Sequence, residues 1–103
     1  MQTETQLKIL RHIQANPGAS QRKLAQELGV SLGKINYCMR ALIAKGCIKA
    51  GNFKRNVNKS HYLYLLTTKG IEEKANLTAK FLKIKISEYE KIAKDIEQYK
   101  REY

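Results

Sequence analysis

Residues 20–46 read SQRKLAQELGVSLGKINYCMRALIAKG, and the punctuation of this stretch decides the fold. Ser20 stands where an N-cap belongs, Leu24, Ala25 and Leu28 follow at helical spacing, and Gly29 supplies the stop. Two residues later Ser31 repeats the cap. Behind it Ile35, Cys38, Met39, Leu42 and Ile43 fall at i, i+3, i+4, i+7 and i+8, the apolar stripe of a second helix, and Gly46 offers a left-handed C-cap. Two helices joined by so short a turn predict a helix-turn-helix.

The flanks extend that reading. Upstream, a first helix is predicted from about Thr3 to Asn16: Thr3 and Gln6 have capping-box spacing, Leu7, Leu10 and Ile13 share a face, and Asn16-Pro17-Gly18 ends it. Downstream, Cys47 to Phe53 predicts a strand and His61 to Leu66 the returning one. Between them Lys54, Arg55, Asn56, Asn58 and Lys59 make a polar, basic loop, the wing of a winged helix-turn-helix.

From Thr68 to Tyr103 there is no proline and one glycine, Gly70, so these 36 residues predict a single helix about 54 Å long. Leu82, Tyr89, Ile92, Ile96, Tyr99 and Tyr103 form its seam, with the alternating steps of three and four of a coiled coil from Tyr89 onward and Lys85 interrupting at a d position. Ser87 and Glu90 also fit a capping box, which makes a break near Ile86 the alternative. The expected fold is mainly α with a small β-hairpin (α+β): a winged DNA-binding domain over residues 1–67 and a C-terminal dimerisation helix over 68–103.

The chain has 103 residues, 20 basic and 9 acidic, for a net charge of +11. Residues 1–66 carry +9 of it and residues 67–103 only +2, so a polyanion is expected to meet the first two thirds. Taking Ile35 as the inward direction of helix 3, the opposite face presents Gly33, Tyr37, Arg40, Ala41 and Ala44, flanked by Lys34 and Asn36. Hydrogen-bonding side chains among small ones suit a helix in the major groove of double-stranded DNA. Arg40 fits guanine, Asn36 adenine, Tyr37 a phosphate or thymine methyl, and Lys34 and Ser31 phosphates. Lys54, Arg55 and Lys59 suit flanking phosphates or the minor groove, and Arg22 and Lys23 stand where the N-terminus of helix 2 approaches the backbone.

The run from Ala19 to Phe53, followed by YLYLLTTKGIEEKA (62–75), resembles the core of MarR-type transcriptional regulators. Leu42 to Gly46 matches the Leu-x-x-x-Gly that closes the recognition helix, and Leu66 to Gly70 the Leu-Thr-x-x-Gly that leads from the wing into the C-terminal helix. Asn52 to Lys54 and Phe81 to Glu90 resemble, more narrowly, the short members associated with exopolysaccharide gene clusters. The resemblance implies a homodimeric regulator, expected to repress, reading a roughly palindromic operator. Helix 1 is short and no further N-terminal helix precedes it here, which places dimerisation on the C-terminal helix alone. No small-molecule effector is predicted.

Other classes find little support. His12 and His61 are not spaced with either cysteine as metal ligands, no glycine-rich phosphate loop is present, and Glu72 and Glu73 read as helix-surface charges, so no enzyme, metal or cofactor is expected. Cys38 and Cys47 read as reduced, structural thiols. No apolar run approaches 18 residues and the first twenty lack a signal-peptide pattern, so a cytoplasmic protein without membrane contact is expected. The remaining competitors are a protein-docking winged helix, which would expose Leu, Trp or Phe anchors, and an RNA binder, for which no module is visible.

Overall fold

The computed structural model describes residues 2–51 and 62–103. In chain order its elements are α1 (Gln2–Ala15), α2 (Gln21–Leu28), α3 (Leu32–Ala44), β1 (Ile48–Ala50), β2 (Tyr64–Leu66) and α4 (Thr68–Glu102). The strands pair antiparallel, Ile48 opposite Leu66, Lys49 opposite Leu65 and Ala50 opposite Tyr64.

The central punctuation works as its residue types dictate. Ser20 Oγ accepts from the Lys23 N–H and Ser31 Oγ from the Lys34 N–H, each at 3.1 Å, satisfying one orphan donor at the start of α2 and of α3. Gly29 ends α2 at φ 66° and Gly46 follows α3 at φ 78°, backbone conformations that L side chains rarely adopt. Helix α1 departs from expectation at its start. It already includes Gln2, so Thr3 lies inside the first turn and cannot cap it; burial of Thr5, Gln6 and Leu7 holds these early turns on the core.

The core gathers Ile9, Leu10 and Ile13 of α1, Leu24 of α2, and Ile35, Cys38, Met39 and Leu42 of α3, closed by Cys47, Ile48 and Leu77. Ile43 is a correction: it is 41% exposed. Eight residues beyond Ile35 it has turned about 80° away, to the rim of the apolar stripe. The strands are shorter than predicted. Cys47 precedes β1 and gives its N–H to Leu42, while Tyr62 and Leu63 precede β2. The Pro17 carbonyl accepts from the N–H groups of both Leu63 (2.8 Å) and Tyr64 (3.2 Å), so the α1–α2 turn covers this end of the hairpin. Phe53, His61 and the wing residues Lys54, Arg55, Asn56, Asn58 and Lys59 lie outside the described residues.

Helix α4 is anchored at its first turn. Thr67 caps it, accepting from the Gly70 N–H at 3.0 Å, while its hydroxyl donates to the Gly46 carbonyl and its N–H to Cys47 O at 3.0 Å. Leu77 is buried, Phe81 packs on the core, and the Lys74 ammonium donates to the Gln14 side chain on α1. From Leu82 onward every residue is exposed. The expected alternative of a break near Ile86 is not taken. Lys85 pairs with Glu88 at 3.4 Å across an unbroken turn, and nothing in IKISEYE obstructs the helical ladder. The molecule is 66 Å long and only about 25 Å across.

Both thiols are fully buried, and loss of hydration pushes each above its ordinary value. A thiol reagent is therefore expected to leave the folded protein unlabelled and to modify Cys38 and Cys47 together on unfolding. Because the unfolded chain ionises its thiols first, near pH 8.5, this contribution to stability is present below that pH and falls as pH rises through it. Melting temperatures measured across pH 7 to 10 check the sign.

Candidate nucleic-acid interface

The cap of α2, the first turns of α2 and α3 and the start of β2 converge on one side of the molecule. Ser20 with Gln21 and Arg22 of α2, Leu32, Gly33 and Asn36 from α3, and Leu63 with Tyr64 line one shallow hollow. A second hollow continues along α3 over Gly33, Asn36, Tyr37, Arg40 and Ala41. The two share Gly33 and Asn36. Together they form a concave strip with the first turns of two helices at one end and the exposed Arg40 at the other.

Gly33, Asn36, Tyr37, Arg40 and Ala44 are exposed, and Tyr37 keeps 58% of its surface in solvent. Directly behind them Ile35, Cys38, Met39 and Leu42 are fully buried, which fixes the rotation of α3. Lys34 is half-buried at the edge and Ser31 is occupied as a cap. Gly33 has nothing within 4 Å of where a Cβ would sit, so no packing contact accounts for a glycine in this first turn.

A polar relay ties the strip to its frame. Asn36 Nδ2 donates to Gln21 Oε1 at 3.1 Å, and Gln21 Nε2 donates to the Tyr64 hydroxyl at 3.3 Å. It joins α3, α2 and β2 through three side chains, two of which, Gln21 and Tyr64, are not among the sequence-predicted contacts. Their partners stand 15 and 43 residues away, so no local spacing signals them.

Arg22 and Lys23 separate. Arg22 lines the strip, whereas Lys23 turns toward Glu27, 3.0 Å away, and lines a different hollow with His12 and Asn16. The Lys23 ammonium, through its hydrogen bond and its charge, holds the Glu27 carboxyl below the usual carboxylate range. Among the described residues no group of three or more His, Cys, Asp or Glu gathers to hold a metal, and no helix is long and apolar enough to cross a membrane.

Comparison with known proteins places this geometry. Residues 2–49 match the winged helix-turn-helix DNA-binding family. The whole fold is similar to the crystal structure of a MarR family transcription regulator, at a TM-score of 0.61 over 92% of this chain and 69% of that one, with 17% sequence identity. The fold is a winged helix-turn-helix with a long C-terminal helix. No curated protein matches the chain. Within the winged helix-turn-helix, α2 and α3 are the paired helices, β1 and β2 the base of the wing, and the concave strip the outer surface of the second helix.

Proposed function

We propose that the protein is a sequence-specific, double-stranded DNA-binding transcription regulator that acts as a homodimer. The observation that carries this reading is the face of α3: Asn36, Tyr37 and Arg40 project from a rotation locked by four buried residues, among side chains small enough to admit the edges of bases. Arg40 supplies the fork for guanine. Asn36, held by Gln21, presents an amide in fixed orientation, and Arg22, Ser31, Lys34 and Tyr37 lie toward the sugar-phosphate chains. Lys23 contributes there only by leaving Glu27. Lys54, Arg55 and Lys59 extend the contact to the flanking backbone or minor groove, a part assigned from sequence. A dimer seated on a promoter blocks it, so the reading includes repression; the narrower exopolysaccharide association rests on the strings at Asn52 to Lys54 and Phe81 to Glu90.

Selection of bound duplexes from a genomic pool tests the class directly. Recovery of a shared, roughly palindromic site is expected, and recovery of random fragments overturns sequence reading. On the selected duplex Arg40→Ala is expected to cost about 10- to 100-fold and to flatten preference at one base pair, while Arg55→Ala weakens all duplexes alike.

Gly33 gives a second check. Gly33→Ala relieves the chain of a flexible residue in a helix and meets no neighbour, so it should stabilise the fold by about 0.5 kcal/mol. The methyl also fills the point shared by both hollows, so duplex affinity should fall at the same time. Thermal melting and a binding titration on one sample separate the two effects.

A further inference from the structure

The apolar seam of α4 is longer than its exposed end suggests. Stepping alternately by four and three from Ile71 gives Ala75, Thr78, Leu82, Lys85, Tyr89, Ile92, Ile96, Tyr99 and Tyr103, an unbroken a/d register along the helix. Ile71, Leu82, Tyr89, Ile92, Ile96, Tyr99 and Tyr103 are all at least half exposed in the single chain. Its first half forms one wall of a groove whose other wall is α1, with Leu7, Lys8 and Arg11.

Residue sizes along the seam are uneven, small near the body and large near the tip. Pairing two copies in parallel would set each residue against itself: Ala75 on Ala75, Tyr99 on Tyr99, and the Lys85 ammonium on its own copy within the seam. Running the copies in opposite directions sets Ala75 against Tyr99, Thr78 against Ile96, Leu82 against Ile92, and Lys85 against the ring of Tyr89. Small then meets large in the two layers that Ala75 and Thr78 form, Leu82 and Ile92 pair as aliphatics, and the lysine meets an aromatic face instead of a like charge.

Charge along the edges agrees. The edge of α4 that carries Lys74 and Phe81 is the one flanked by α1, through the Lys74–Gln14 contact and the packing of Phe81. Further along, the same heptad position holds Glu88, Asp95 and Glu102. Antiparallel copies meet along like edges, so Asp95 of one arrives beside Phe81 and the α1 edge of the other, where Arg11 stands with the Lys8–Glu4 pair, and Glu102 arrives beside Lys74; at the centre Glu88, paired with Lys85 of its own chain, meets its own copy.

We infer that α4 pairs antiparallel with α4 of a second copy, its tip lying in the partner's α1–α4 groove. This rests on the dimer reading above and adds to it a direction, a register and a contribution from α1. The centre of the pair falls at residue 87, about twelve residues beyond the middle of the stretch of α4, Thr68 to Phe81, that packs on the body. At 1.5 Å per residue the two bodies then stand about 36 Å apart along the axis, close to one turn of duplex DNA.

Cysteine cross-linking of the full chain tests direction and register. Ala75→Cys and Tyr99→Cys chains, each oxidised alone, should give no covalent dimer; mixed and oxidised, they should give one, with wild type as the control for the buried Cys38 and Cys47. Tyr99→Cys linking to itself indicates parallel helices and overturns the proposal while leaving the dimer intact. A dimeric mixture that fails to link overturns the register. A wild-type mass of one chain in solution removes the dimer reading itself. As an independent readout, Asp95→Lys should weaken the dimer about fivefold, and Lys8→Asp in the same chain should restore it; failure of that rescue overturns the placement of the tip on α1.

Discussion

Raising the salt from about 50 to about 200 mM should weaken duplex binding by about three orders of magnitude. Each phosphate neutralised contributes about 0.9 log units per log unit of salt, and a dimer that engages three cations per protomer neutralises about six. Arg22 at the lip of the strip, Lys34 at its edge and the basic loop from Lys54 to Lys59 supply at least that many. The distribution of charge explains why the slope is steep: +9 of the net +11 lies in residues 1–66, on the side of the chain that carries α2, α3 and the wing. A titration series at four salt concentrations gives the slope. Binding that changes less than tenfold over that range means the cations do not face phosphate and the strip serves another partner.

Gly70→Val should be the most damaging single substitution in the fold, lowering stability by about 3 kcal/mol and the melting temperature by about 15 °C. A Cβ at position 70 would fall on the carbonyl oxygen of Cys47, which is backbone and cannot swing aside as a flexible side chain would. That carbonyl already accepts the Thr67 N–H, so moving it also undoes the cap that starts α4. Gly33→Ala has the opposite expected sign. The residue removed is the same, but position 33 opens on empty space and position 70 on the spine of the next element. A melt that drops by less than a few degrees would mean that the junction yields.

Most of the fold was legible because its signals are local. Ser20 and Ser31 as caps, Gly29 and Gly46 at positive φ, and the stripe of Ile35, Cys38, Met39 and Leu42 each depend on residues within one or two turns, and each appears where spacing placed it. Legibility fails at margins and across space. Ile43 counted by spacing as core sits at the rim, and Thr3 spaced as a cap lies within α1. The strands are shorter than the runs that signal them, since aromatic and aliphatic runs mark a strand's neighbourhood and pairing with a partner marks its ends.

The candidate site divides in the same way. The outward set of Gly33, Asn36, Tyr37 and Arg40 follows from helical geometry alone, because a buried stripe dictates what remains outside. Gln21 and Tyr64, which orient Asn36, could not follow, since their contact depends on how α2 and β2 meet α3. Adjacency in the sequence groups Lys23 with Arg22. One residue is a 100° turn on a helix, enough to carry it to Glu27 on another surface.

The clip at Gly46, Cys47, Thr67 and Gly70 gives the molecule a mechanical character. The end of α3 and the start of α4 are bolted together by a hydroxyl, an amide and the absence of a side chain. A rod so mounted cannot swivel at its root without breaking the Thr67 contacts to Gly46 and Cys47, so the direction of α4 is set by the end of α3.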